Sequence, residues 1–255
     1  MRPELIKARI AEIRDGGVVA AGAVTPQRAF EFSKTVQEAE LDLLVIQGTV
    51  VSAEHVSKEH SEPLNLKTFV RELDLPVVVG GCASYPAALH LMRTGAAGVL
   101  VGVGNNRACT TPGVLGLGMP SATAIADVRA ARMRHLDETG VYVHLIASGG
   151  MATGGDIAKA IVCGADAVML GATLATAREA PGRGWHWGLG SSHPTLPKGA
   201  RHRLGTRGTM REVLLGPAHE ADGATNVIGG LRSTMAMCGY ETVKELQKAD
   251  LVVSS

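Results

Sequence analysis

The chain has 255 residues, a formal net charge of +1, 3% aromatic residues and 32 glycines. It is long enough for one α/β domain of barrel size or two small domains, with a core built from Ala, Val, Leu, Ile and Met. Dispersed Lys and Arg argue against nucleic acid as a partner, and the lack of any 18-residue apolar run argues against a membrane-spanning helix.

Short apolar runs alternate with helical patterns from the start of the chain. Residues 17–24 predict a strand and 26–40 a helix, 43–46 the second strand, 64–72 a helix and 77–81 the third strand. Residues 85–94 predict a helix stopped by Gly95, and 99–102 the fourth strand. After a Gly-rich loop, 121–139 predicts a helix with Ile125, Val128, Met133 and Leu136 on its apolar face and Gly140 as its stop. Residues 141–147 are the fifth strand, 156–163 its helix, and 167–170 the sixth strand. Strands that are apolar throughout expect burial on both faces and a parallel sheet. Six βα units in series fit a (β/α)₈ TIM barrel or a doubly wound sheet, and the barrel is the expected α/β architecture. From 181 to 216 the chain is rich in Gly and Pro and carries Trp185-His186-Trp187, which predicts an irregular, mobile lid. A helical stretch over 229–247 follows.

Cys82, Cys109, Cys163 and Cys238 show no C-x-x-C spacing, so reduced thiols are expected rather than a zinc ribbon or a disulfide framework. The opening MRPELIKARIAEIRD lacks the apolar region of a signal peptide, and a cytoplasmic location is expected. Cys109 lies in the Gly-rich loop 102–111, where oriented N–H groups favour a nucleophilic thiolate, although a partly buried structural thiol fits the same loop. Gly149-Gly150 and Gly171-Ala172 follow adjacent strands. Such turns bind phosphate through backbone N–H groups, as in many flavin and sugar-phosphate barrels, or simply permit tight turns. His55 and His60 are five apart and do not share a helical face, which suits a loop rather than a metal pair. Trp185, His186 and Trp187 are expected to anchor the lid by packing.

Gly102-Val-Gly-Asn-Asn-Arg-Ala-Cys-Thr-Thr111 resembles the G-x-G-x-G-S-x-C-x-T loop of the IMP dehydrogenase/GMP reductase family. The segments 116–124, 156–171 and 230–239 are similar to its other motifs, so the resemblance extends over nearly the whole chain. Ala180-Pro-Gly-Arg-Gly-Trp-His-Trp-Gly188 resembles the third-type branch, which lacks the CBS-domain insertion. The resemblance implies one barrel domain over 1–255, with a flap at 180–228 and a C-terminal segment at 229–255. The six units correspond to the third through eighth family strands, so the first two βα units are expected to be absent from this chain.

The activity implied is NAD-dependent oxidation of IMP to XMP in a homotetramer or larger homo-oligomer. Cys109 would attack the purine C2, Thr111 would help activate water, and Arg201, Arg203 or Arg207 would be the flap base. Gly149, Gly150, Gly171, Ala172 and Arg107 would hold the phosphate. Ser148 stands where the ribose-binding carboxylate is expected, and Gln47 where an Asp would hold the nicotinamide ribose. Gly102 and Gly104 would lie on the cofactor side. Carbonyls of Gly104, Asn106 and Cys109 would bind a monovalent cation such as K⁺. Reduction of GMP with NADPH, an FMN-dependent barrel oxidoreductase and a nucleotide binder without turnover remain alternative readings.

Overall fold

The computed structural model describes residues 2–48, 51–52, 54–55, 64–106, 108–188 and 201–252. The six expected strands form as β1 (Ala21–Val24), β2 (Leu43–Gln47), β3 (Val77–Cys82), β4 (Gly98–Val101), β5 (His144–Ser148) and β6 (Ala167–Met169). They are hydrogen-bonded neighbours in sequence order within one sheet. β3 and β4 are buried along their whole length, whereas β1, at one end of that order, alternates between exposed and half-buried residues. β1 starts later than expected because Val18 and Val19 belong to a loop, where Val19 is 71% exposed. Apolarity alone does not mark where pairing begins.

The chain divides into two compact units, Met1–Leu100 with Ala130–Val143, and Val101–Arg129 with His144–Ser255. In the first, helix α1 (Pro3–Asp15) carries Pro in its first turn, Glu4 near its N-terminus and Arg14 near its end, and packs against α2 (Ala29–Glu38). The N-terminal residues thus form a helix beyond the elements expected from the sequence. Helices α3 (Leu66–Glu72) and α4 (Tyr85–Met92) flank β3 in sequence. β1 pairs in parallel with β2, Ala21 opposite Leu43, and β2 with β3, Leu44 opposite Val77.

An aspartate fixes the approach to a strand in each unit. Asp42 Oδ2 accepts the Ala20 N–H at 2.7 Å while its own N–H donates to the Ala20 carbonyl at 3.0 Å. In the second unit Asp166 repeats this with Leu145, at 2.9 and 2.8 Å. The reciprocal bonds satisfy backbone groups at the strand ends and set the register by one residue.

The loop after β4 leads into α5 (Thr111–Leu115) and the long α6 (Ser121–Thr139). Met133 proves 46% exposed, and the inward face of α6 runs through Ile125, Val128, Arg132 and His135. Their 3-4-3 spacing is the helical period, which Met133 breaks. Arg132 is only 2% exposed and lies over the Tyr142 ring at 4.8 Å, so its guanidinium is accommodated by an aromatic face. Burial and the nearby Arg93 push the His135 pKa down.

Helix α7 (Gly154–Cys163) opens with a capping box between Thr153 and Asp156. Asp156 is held below the usual carboxylate range by hydrogen bonds from Thr153 and Lys159, which outweigh its burial. Short α8 (Ala172–Ala175) follows β6. The described parts of the stretch 181–216, residues 181–188 and 201–216, contain regular elements that the composition does not suggest. These are β7 (Trp185–Trp187), paired antiparallel with β8 (Arg201–Arg203), and α9 (Met210–Leu215), started by a Thr209–Glu212 capping box. The helix expected over 229–247 is two helices, α10 (Val227–Met237) and α11 (Val243–Leu246), separated at Gly239.

α10 packs on α7 through paired glycines. A Cβ at Gly154 would lie 2.9 Å from both the Gly230 Cα and the Val227 carbonyl. Because the opposing atoms are backbone, the helices must separate to admit a methyl group. Gly154→Ala should therefore lower stability by about 1–3 kcal/mol. Urea unfolding checks this. An unchanged midpoint would show that the two helices are not held at this distance in solution.

Candidate active site in the second unit

Gly102 directly follows β4 with φ 142, and a Cβ there would overlap the Ser148 carbonyl. Only glycine lets the loop fold back onto the end of β5. Gly149 faces the other side of the same contact, where its Cβ would lie 3.3 Å from the Asn105 Cβ. Asn105 fills the turn. With its amide nitrogen toward the carbonyls of Val103 (3.2 Å) and Met119 (2.5 Å), its oxygen accepts from Ser121 Oγ at 3.1 Å.

The next residue organises the thiol. Asn106 Oδ1 accepts the Ala108 N–H at 2.9 Å, and the Asn106 carbonyl accepts the Cys109 N–H at 2.8 Å. Cys109 is half-buried, and its thiol donates to Thr111 Oγ1 at 3.1 Å, with Thr111 buried at the start of α5. A thiol, a hydroxyl and a tight backbone turn are thereby brought together. This arrangement suits a nucleophile with a water-orienting neighbour.

The two Gly turns expected at the phosphate are tied to one another. Thr173 of α8 is buried and donates from Oγ1 to the Met151 carbonyl at 2.5 Å, joining the Gly171-Ala172 turn to the Gly149-Gly150 turn. Gly171 caps α8, and Ala172 is its first residue. The Ser148 hydroxyl faces Met169 Sδ at 3.7 Å. Gln47 ends β2 in the first unit and is half-buried. Arg107 and His60 lie outside the described residues. His55 is in a two-residue strand rather than a helix, and no cluster of three metal-ligating side chains occurs among the described residues.

The three flap arginines differ. Arg201 lies over the Trp185 ring at 4.6 Å, and Arg203 is exposed at the end of β8. Arg207 pairs with Asp222 and with Glu220 at 3.5 Å, and its N–H donates to the Thr176 carbonyl. His186, expected to be a packing residue, reaches the thiol loop, where its Nε2 lies 3.4 Å from Asn106 Nδ2. Burial and neighbouring His202 push its pKa below the ordinary value. Aromatic neighbours disguised His186 in the sequence, and nothing in its spacing marked it.

The other thiols are set apart by environment. Burial pushes Cys82 up to about 12 and raises Cys163, while Cys238 is exposed. At pH 8 only about one Cys82 in ten thousand is thiolate. Iodoacetamide should modify Cys238 and Cys109 within minutes and leave Cys82 intact, as read by peptide mass spectrometry. Early labelling of Cys82 would show that its strand opens readily.

Comparison with known proteins places the chain in a family. Residues 7–255 match the family model described as the IMP dehydrogenase/GMP reductase domain. An uncharacterised oxidoreductase of Mycolicibacterium smegmatis is 53% identical over 99% of this chain and 68% of its own length. The inosine-5′-monophosphate dehydrogenase of Haemophilus influenzae is 33% identical over 98% of this chain, which spans 52% of that enzyme. The crystal structure of an IMP dehydrogenase/GMP reductase-like protein from Corynebacterium glutamicum superposes with a TM-score of 0.88 at 46% identity, covering 100% of this chain and 66% of that one. That likeness identifies the parallel α/β sheet as a TIM-barrel-type fold, and no described helix is long and apolar enough to cross a membrane. The chain belongs to the IMP dehydrogenase/GMP reductase family of oxidoreductases.

Proposed function

We propose that the protein oxidises IMP to XMP with NAD through a covalent adduct on Cys109. The observation that carries this reading is the Cys109 Sγ–Thr111 Oγ1 hydrogen bond on a loop that packs against Ser148–Gly150. The Cys109 thiol gives up its proton, and its sulfur forms a bond to C2 of the purine. The C2 hydrogen leaves as hydride to NAD, yielding NADH. Water then adds at C2, loses a proton, and the C–S bond breaks to release XMP and the thiol. Thr111, already bonded to the sulfur, is placed to orient that water. The backbone N–H groups of Gly149, Gly150, Gly171 and Ala172 hold the phosphate, with Arg107 as its cationic partner. Gly102 and Gly104 serve the NAD side.

The flap base is one of Arg201, Arg203 and Arg207, of which Arg207 would first have to leave its ion pairs with Asp222 and Glu220. Neutral carbonyls at Gly104, Asn106 and Cys109 suit a monovalent cation, whose charge would steady the loop. The Asn106 carbonyl already accepts one N–H and retains a second lone pair for it. The same reading carries a homotetramer or larger assembly acting in the cytoplasm.

The test is to follow nicotinamide absorbance with IMP plus NAD, and separately with GMP plus NADPH. Turnover is expected in the first and its loss in Cys109→Ala. Turnover only in the second mixture would reverse the assignment to GMP reduction, and a yellow, flavin-bearing protein would replace it with flavin chemistry. Replacing the true flap base by Ala should leave the hydride burst intact while adduct accumulates on Cys109. If none of Arg201→Ala, Arg203→Ala and Arg207→Ala does so, the flap-arginine step is wrong.

Ser148→Asp should tighten IMP binding roughly ten- to a hundred-fold by restoring a charge-assisted bond to the ribose. Calorimetry on the folded variant checks it. Unchanged or weaker affinity would remove Ser148 from the ribose position.

A further inference from the structure

We infer that His186 is a positioning residue for Cys109, acting through Asn106. This rests on the reading of Cys109 as the nucleophile, and the assignment follows from the hydrogen bonds alone. Asn106 Oδ1 accepts the Ala108 N–H, which fixes the amide so that its other atom, the NH₂, is the one 3.4 Å from His186 Nε2. An amide nitrogen has no lone pair to offer, so it donates and His186 Nε2 accepts. The imidazole therefore carries its proton on Nδ1. One residue thus holds the thiol loop at two points and joins it to the hairpin at a third: its side-chain oxygen takes the Ala108 N–H, its backbone carbonyl takes the Cys109 N–H, and its side-chain nitrogen is tethered to His186.

The hairpin is shaped for this contact. Gly188 lies two residues beyond His186, and a Cβ there would sit 2.8 Å from the Ala108 carbonyl. Residues 186 and 188 point to one side of an extended segment, so both reach the same loop. Opposite His186 in the ladder is His202, whose buried Nε2 has no hydrogen-bond partner among the described atoms. A Cβ at Gly171 would touch His186 Cε1 at 3.5 Å. The imidazole therefore lies against both the thiol loop and the Gly171 turn. A shift of the hairpin is transmitted to the sulfur through Asn106.

The test compares His186→Phe, which keeps a ring but cannot accept, with His186→Gln, whose amide oxygen can. Both are made in a Cys163→Ser/Cys238→Ser background so that labelling reports on Cys109. With IMP and NAD, His186→Phe should lower kcat roughly ten- to a hundred-fold, with KM for IMP changed less than about threefold. Iodoacetamide labelling of Cys109 in the free protein should slow in parallel. His186→Gln should recover most of both losses, and adding His186→Phe to Asn106→Ala should cause no further loss. Wild-type kcat and labelling in His186→Phe would overturn the inference. So would an effect confined to KM, which would place His186 on the substrate itself, or a Gln variant as impaired as Phe. Should the Phe variant not fold, His186→Ala takes its place in each comparison. Retained turnover in Cys109→Ala would defeat the nucleophile assignment instead, so the two failures are distinct.

Discussion

The carbonyl oxygen of Ser148 occupies the space that a side chain at position 102 would need. Everything else in the candidate site follows from that approach. The chain leaving β4 is turned back across the end of β5, Asn105 fills the turn, and Asn106 closes the next one over Ala108 and Cys109. The thiol loop and the Gly149-Gly150 turn are thus one packed object, although more than 35 residues separate them in sequence. The Thr173–Met151 bond extends it to the Gly171 turn. Rigid backbone of this kind can place a sulfur and a glycine turn at a fixed separation without large side chains.

A chain with 3% aromatic residues and 32 glycines needs other means of specifying its register. Two of them recur. Asp42 and Asp166 bracket strand ends by reciprocal bonds to the neighbouring segment. Thr-x-x-Asp or Thr-x-x-Glu capping boxes start α7, α9 and α11. Each satisfies N–H groups that an unpaired helix or strand end would leave without partners. Many ion pairs of the first unit, such as Lys7–Glu38 and Arg93–Glu138, are largely exposed and contribute little. The caps, the aspartates and the aliphatic core carry the fold.

Two positions that the proposed reaction places at the nucleotide, Ser148 and Ala172, are uncharged where the family resemblance leads one to expect a carboxylate or a hydroxyl. Ser148 directs its hydroxyl to the sulfur of Met169, and Ala172 opens α8 with a methyl group. In the proposed reaction, these two positions contribute no charge to nucleotide recognition, which leans there on the backbone N–H groups of the glycine turns. That suits a site whose precision resides in its glycines, and it makes the exact path of the loop more consequential than any single ionic contact.

Sequence alone determined the six strands and the helices following five of them, because continuous apolar runs and a 3.6-residue period are local signals. It also singled out Cys109 and the Gly149, Gly150 and Gly171 turns, since loop glycines beside strand ends are visible as a pattern, whereas Thr111 came only with the family resemblance. Tertiary structure decided the rest. Arg132 and His135 are inward residues of α6 because their spacing obeys the helical period, although their polarity suggested solvent. The Gly- and Pro-rich stretch holds a hairpin because Trp185–Trp187 finds its partner at Arg201–Arg203, a pairing that no local preference specifies. Arg207 is set apart from Arg201 and Arg203 by Asp222 and Glu220, 15 and 13 positions away, and His186 is joined to Asn106 across 80. Composition and periodicity report which face a residue prefers. Which atom lies opposite it depends on how distant segments close on one another, and that is a property of the folded chain.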